Sequence, residues 1–302
     1  MKKVGVFIIG TLLLFGSQTL QAQNIEVVND SLTDQSTWSG LDLIYKMQHI
    51  TEKKPIAYEP IREADIMWSK LVWRMIDFRQ KMNQPLYFPT VPIGERMSLI
   101  DVLMEGIENG DVTAYKPNQF EDSNEFQEIM SYDQVLEAFD AKDKEKLVYD
   151  PVTGEPTTTI LKGSIHTDEV LQVLVKEMWF FDRKRSSLEV RIIGLCPIRV
   201  YNKIDELNPE DSQRKTKLFW IKFPEAREVL AQKEVFNPYN DAERRSYDEI
   251  FHKRFFDGFV VQESNVYNNR MIQQYTMGVE TLLESERLED FIYRYEHDLW
   301  EY

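Results

Sequence analysis

The residues of this 302-residue chain that could do chemistry are a few carboxylate pairs, four histidines, one cysteine and one dense basic run. Glu284 and Glu286 invite a glycosidase reading, in which two carboxylates flank a sugar bond inside a closed cleft. With 51 acidic residues such pairs arise freely, and a solvated face explains this one. Glu296-His297-Asp298 has the residue types of a metal or proton-transfer site. On a helix, however, adjacent side chains diverge by about 100° and cannot face one ion. The histidines, at 49, 166, 252 and 297, have no ligand spacing to one another, so a His-based zinc site would need remote residues to converge. Gly-rich phosphate loops and a Gly-x-Ser-x-Gly elbow are both missing from the sequence. Cys196, inside the apolar stretch from Ile192 to Ile198, reads as a small core residue rather than a reactive thiol. No catalytic, cofactor or metal residue is assigned.

What remains is recognition. Asp182-Arg183-Lys184-Arg185 is the one dense basic cluster in an acidic chain. At the end of an expected helix its cations would complement the helix dipole. Arg183, Lys184 and Arg185 are also the candidate docking patch for an acidic partner or a neighbouring subunit. Aromatic residues make up 12% of the chain, more than catalysis needs. Trp300 and Tyr302, at the C-terminus, are candidate interface anchors because such rings make large, stiff, amphipathic contacts.

The elements that must position these residues are read from periodicity. Ala64, Met67, Trp68, Leu71, Met75, Phe78 and Met82 recur at three- and four-residue steps, which predicts a helix over 64–82 stopped by Pro85. Ser98 caps a second helix ending at Gly110, and Ser131 a third. Thr167 opens an expected helix over 168–182. Strands are expected at 112–115, 147–149, 188–195, 198–201, 218–223 and 259–261. Pro224 suits the first turn of a helix, Ser246 caps another, and a long helix runs from Val279 to Trp300 with Leu282, Leu283, Leu288, Phe291, Ile292, Tyr295 and Leu299 on one face. Interleaved helices and consecutive strands make the fold class α+β. Ser131-Tyr132-Asp133 and Ser246-Tyr247-Asp248 echo one another, which raises an internal duplication or a chance convergence of capping signals.

Lys2-Lys3, an apolar run from Val4 to Phe15 and Ala22 read as a secretory signal peptide, too short to span a bilayer. The expected organisation is a signal peptide at 1–22, an extended leader at 23–60, a first α+β half at 61–150 and a second at 151–302. The turn-rich Asp150-Pro-Val-Thr-Gly-Glu-Pro156 is the boundary. The formal charge of -15, from 36 basic and 51 acidic residues, argues against nucleic acid and anionic membrane partners and favours a basic protein partner.

Longer strings carry a resemblance. Lys176-Glu-Met-Trp-Phe-Phe-Asp-Arg-Lys-Arg-Ser-Ser-Leu-Glu-Val-Arg-Ile-Ile-Gly194, Arg62-Glu-Ala-Asp-Ile-Met-Trp-Ser-Lys70, Leu218-Phe-Trp-Ile, Phe223-Pro-Glu-Ala-Arg227 and Glu296-His-Asp-Leu-Trp-Glu-Tyr302 resemble the gliding-motility GldN family, also called PorN. The resemblance implies a non-enzymatic periplasmic component of the type IX secretion system of Bacteroidetes. It also implies a ring of its own copies built with the lipoprotein GldK (PorK) beneath the outer membrane. The outer membrane would be reached only through that lipoprotein, and the ring would meet the periplasmic part of the GldL/GldM (PorL/PorM) motor. The second reading is a periplasmic protein that binds or cleaves peptidoglycan, supported by location and abundant carboxylates alone.

Overall fold

Two stretches whose apolar spacing predicts helices are the central strands of the sheet. The computed structural model describes residues 52–94, 96–117, 125–141, 144–149, 156–161, 163, 165–202, 213–240 and 242–299. The expected signal peptide at 1–22, the leader as far as residue 51, connector residues 150–155, and Trp300 and Tyr302 lie outside the described residues. In chain order come β1 (Ile66–Asp77), α1 (Gln84–Tyr87), α2 (Leu99–Asn109), β2 (Ala114–Tyr115), α3 (Tyr132–Ala138), β3 (Lys144–Tyr149) and β4 (Pro156–Leu161). Then follow β5 (Val170–Asp182), β6 (Ser187–Asn202), β7 (Gln213–Lys217), β8 (Trp220–Lys222) and α4 (Phe223–Gln232). The chain continues through β9 (Glu234–Val235), β10 (Arg245–Ser246), α5 (Tyr247–His252), β11 (Phe259–Glu263) and α6 (Val279–Asp298).

An antiparallel sheet runs in the order β11-β1-β5-β6-β8-β2, with β7 also paired to β6. Strands from both sides of the 150–156 connector therefore lie next to each other, and the connector itself joins β3 to β4 in a separate hairpin. Helices and an antiparallel sheet together make the fold α+β.

The expected helices over 64–82 and 168–182 are instead β1 and β5. Both faces of β5 and of the second half of β1 are covered, so there the sequence loses the simple alternation of a half-exposed strand. Val72 and Ile76 on one face and Trp73 on the other are all at most 2% exposed. Steps of three then connect residues on opposite faces and steps of four residues on one face, and the mixture imitates a helical stripe. The Ile, Val and Trp content of β1 is what favours the extended state. Thr167 opens only a 3-10 turn, Thr167–Glu169, before β5 begins.

Capping signals hold better because they depend on local chemistry. Ser98 Oγ accepts from the Asp101 amide at 3.2 Å, and Gly110 closes α2 with φ 82, a left-handed position that favours glycine. Ser246 and Glu249 form a capping box at α5, and Pro224 sits in the first turn of α4.

One sheet face carries the main core. Ile76, Val173, Val175 and Leu195 pack there against α2, α4 and α5 through Leu103, Ala226, Leu230 and Phe251. Val72 lies on the same face near the middle of β1, where α6 covers it with Leu288 and Ile292. The opposite face holds Trp73, Leu174, Cys196 and Trp220.

Candidate functional site

The ionisable groups inside this frame are consumed in pairs. Glu177, on β5, is wholly buried and accepts from Arg254 Nη1 at 2.9 Å and Nη2 at 3.3 Å, and from the Trp179 indole at 3.0 Å. Asp248 at the start of α5 takes a two-pronged contact from Arg227 of α4, at 2.7 and 3.1 Å. On the other sheet face the buried Lys176 ammonium pairs with Glu125, which also accepts from the Trp73 indole at 2.8 Å. Asp77 is held down to about pKa 2, first by hydrogen bonds from Arg79 and then by Gln172. A buried carboxylate already gripped by a guanidinium is fixed in its charged state and is poorly placed to move protons.

The other candidates for chemistry do not come together. Arg287 holds the Glu284 carboxyl below its ordinary range, pairing at 2.5 Å, while Glu286 stands exposed. Burial pushes the Cys196 thiol up to about pKa 12, so it is unreactive at neutral pH. Among the described residues no three His, Cys, Asp or Glu side chains are arranged to hold a metal ion.

The surface is more informative. The basic run is not a helix end but the turn of the β5–β6 hairpin, residues 183–186, with Ser186 at φ 53. The helix-dipole reading of its cations therefore fails. Arg185 is tied into the protein by Glu59, Asp182 and Glu189. Arg183 and Lys184 are exposed, and neither has an ion-pair partner among the described residues. The Arg183 amide donates to the Asp65 carbonyl at 2.9 Å, fastening the turn to the entrance of β1.

A strap at residues 52–60 lies near that turn, against α4, α5 and the start of β6. The Tyr58 ring lies 4.2 Å from the Arg227 guanidinium and 5.0 Å from that of Arg191, measured to the ring centroid. Lys53 pairs with Glu249 at 2.7 Å, and Arg191 donates to the Glu59 carbonyl at 2.6 Å. A groove of about 450 Å³ beside the strap includes Glu59 and Glu189, both paired to Arg185, so its acids are occupied.

The second groove, of about 440 Å³, lies between β11 and α6 and includes Phe259, Ile272, Met277 and Leu282. The long apolar face expected for the last helix is only partly covered. Leu288 and Ile292 are buried, whereas Leu282, Leu283 and Phe291 are 56, 57 and 45% exposed. The helix is pinned by Tyr295 stacked on Trp68 at 4.5 Å and by Glu289 on Arg74 at 2.6 Å. Sequence periodicity marks the apolar residues of this helix but not which of them the sheet reaches.

A family model described as gliding motility associated protein GldN matches residues 61–301. The chain belongs to the GldN family. No curated protein matches it. The matched span covers the whole sheet and α6 and begins directly after the strap. Membership gives this GldN-family chain a role associated with gliding motility. None of its described helices is long and apolar enough to cross a membrane.

Proposed function

We propose that this GldN-family protein is a non-enzymatic structural subunit of the type IX secretion and gliding-motility machinery. In this reading it is exported through the signal peptide at 1–22, works in the periplasm, and builds a ring of its own copies with the lipoprotein GldK at the inner face of the outer membrane. The ring meets the periplasmic part of the GldL/GldM motor. The family match over residues 61–301 carries the proposal. Two features of the molecule support it. Its interior carboxylates and cations are locked in ion pairs, and its free cations and free apolar side chains lie on the outside, where a subunit needs them. Repeated contacts of modest strength add through effective concentration when many subunits are joined.

The test is copurification. The full chain, co-expressed with GldK, is expected to elute with it at low salt and to separate progressively as salt rises, because the charge of -15 favours a basic partner surface and salt screens it. Failure to co-elute at low salt contradicts the proposal.

A further inference from the structure

The first half of β6 is an open edge. β5 pairs with it along one side from Ser187 onward, whereas on the other side β8 pairs only from Gly194 and β7 only from Ile198. Residues 187–193 therefore have no strand on their outer side among the described residues. Such a row of unspent amides and carbonyls is a template for another chain. The strap stands beside it: strap residues 56–59 and β6 residues 189–192 line one groove. Its grip is by side chains, with Lys53 on Glu249, Tyr58 on Arg227 and Arg191, and Glu59 on Arg185. Arg191 Nη2 donates to the Glu59 carbonyl, but no backbone hydrogen bond joins the strap to β6 among the described residues. No strap residue is buried. The strap covers the edge without completing the sheet.

The edge is also complementary to itself. Leu188-Glu189-Val190-Arg191-Ile192 carries one acid and one base placed symmetrically about Val190. When two such edges lie antiparallel about Val190, Glu189 of each copy stands opposite Arg191 of the other, and Leu188 opposite Ile192. Glu189 and Arg191 share a sheet face, so each opposite-charge pair meets directly, with roughly 5 Å between Cβ atoms. Sliding the register by two residues either way sets Glu189 or Arg191 against its own copy, which is repulsive. In a lone copy Arg191 has no carboxylate partner among the described residues, and its Nε is buried without an acceptor. Glu189 is held by Arg185, which keeps Asp182 when Glu189 turns to another partner.

We infer that the strap is an autoinhibitory cover over a two-fold pairing edge. With the strap seated the edge is closed. Once the strap lifts, β6 of two copies pairs antiparallel about Val190, and the sheet runs on from one copy into the other. A patch that binds itself closes at two copies, whereas a ring joins unlike patches head to tail. The inference therefore goes beyond the ring-subunit reading and does not rest on it: the strap keeps the chain from being spent in closed pairs.

Disulfide trapping on the two-fold axis tests it, and the inert Cys196 leaves a clean background. Residues directly opposite across an antiparallel pair lie within disulfide reach. Val190→Cys is made in the otherwise unchanged chain and in a chain unlatched by Lys53→Ala and Tyr58→Ala. A third chain lacks residues 52–60 and keeps the test decisive if the two substitutions do not lift the strap. On mild oxidation of the purified proteins, the covalent dimer is expected about tenfold faster without the seated strap than with it. Adding Glu189→Arg to the strapless chain should slow the dimer about tenfold, and adding Arg191→Glu as well should restore it, because opposite charges again face each other. A strapless chain that stays single overturns the pairing edge. Equal rates with and without the strap overturn its covering role. Dimers indifferent to Glu189→Arg overturn the register about Val190.

Discussion

Glu177 and Arg254 form a buried ion pair in which both carboxylate oxygens are met by the guanidinium, at 2.9 and 3.3 Å. Arg254 comes from the segment after α5, and Glu177 lies in the middle of β5, so the pair ties that segment to the sheet at the place where α6 also packs. Removing Arg254 leaves the wholly buried Glu177 with only the longer contact to Arg74 Nε, at 3.5 Å, and the Trp179 indole. Because Arg74 remains as a weaker partner, Arg254→Ala is expected to lower stability by about 2–3 kcal/mol, below the full penalty of an uncompensated buried charge. Arg254→Lys keeps the charge but loses the fork and should fall between. Urea unfolding followed by tryptophan fluorescence measures both, and an Arg254→Ala midpoint equal to wild type contradicts this account.

Asp77 gives a pH signature. Its folded-state pKa is depressed to about 2, with the Arg79 hydrogen bonds as the largest cause. A depressed carboxylate contributes stability above its unfolded pKa, near 3.9, that is lost as pH falls through the folded value. Asp77→Asn should therefore be less stable than wild type at pH 7, with the gap closing between about pH 4 and about pH 2. Unfolding midpoints taken across that range decide it; a gap that is constant with pH rules out the ionic contribution.

The strap at 52–60 hangs on Tyr58. Its ring between Arg227 and Arg191 is the main side-chain anchor of a segment that is otherwise largely exposed. Tyr58→Ala should speed proteolytic cleavage within the strap by about tenfold while the strands of the main sheet stay resistant, because local opening costs less than global unfolding. Unchanged cleavage of the strap would mean that Lys53–Glu249 and Arg191–Glu59 hold it without the ring.

How much of this was legible in the sequence depends on the range of each signal. Ser98, Gly110, Ser246 and Pro224 act within one turn of their own helices, and their meaning was readable residue by residue. β1 and β5 were not, because their apolar pattern is set by partners far away in sequence on both faces of the sheet. The same holds for Arg183 and Lys184. Their exposure and charge were visible in the sequence, but a hairpin turn beside Met67 replaces the expected helix end, and only the pairing of β5 with β1 and β6 reveals it. The β11–α6 groove was missed. Its one sequence signal was an excess of apolar residues on the last helix over what a single face can bury.

Electron microscopy of the full chain co-expressed and purified with GldK tests the central claim most directly. The account predicts closed rings containing both proteins, with this chain repeated around the circumference in head-to-tail contact. A population of single copies bound to single lipoproteins at every concentration, with no higher assembly, would contradict it.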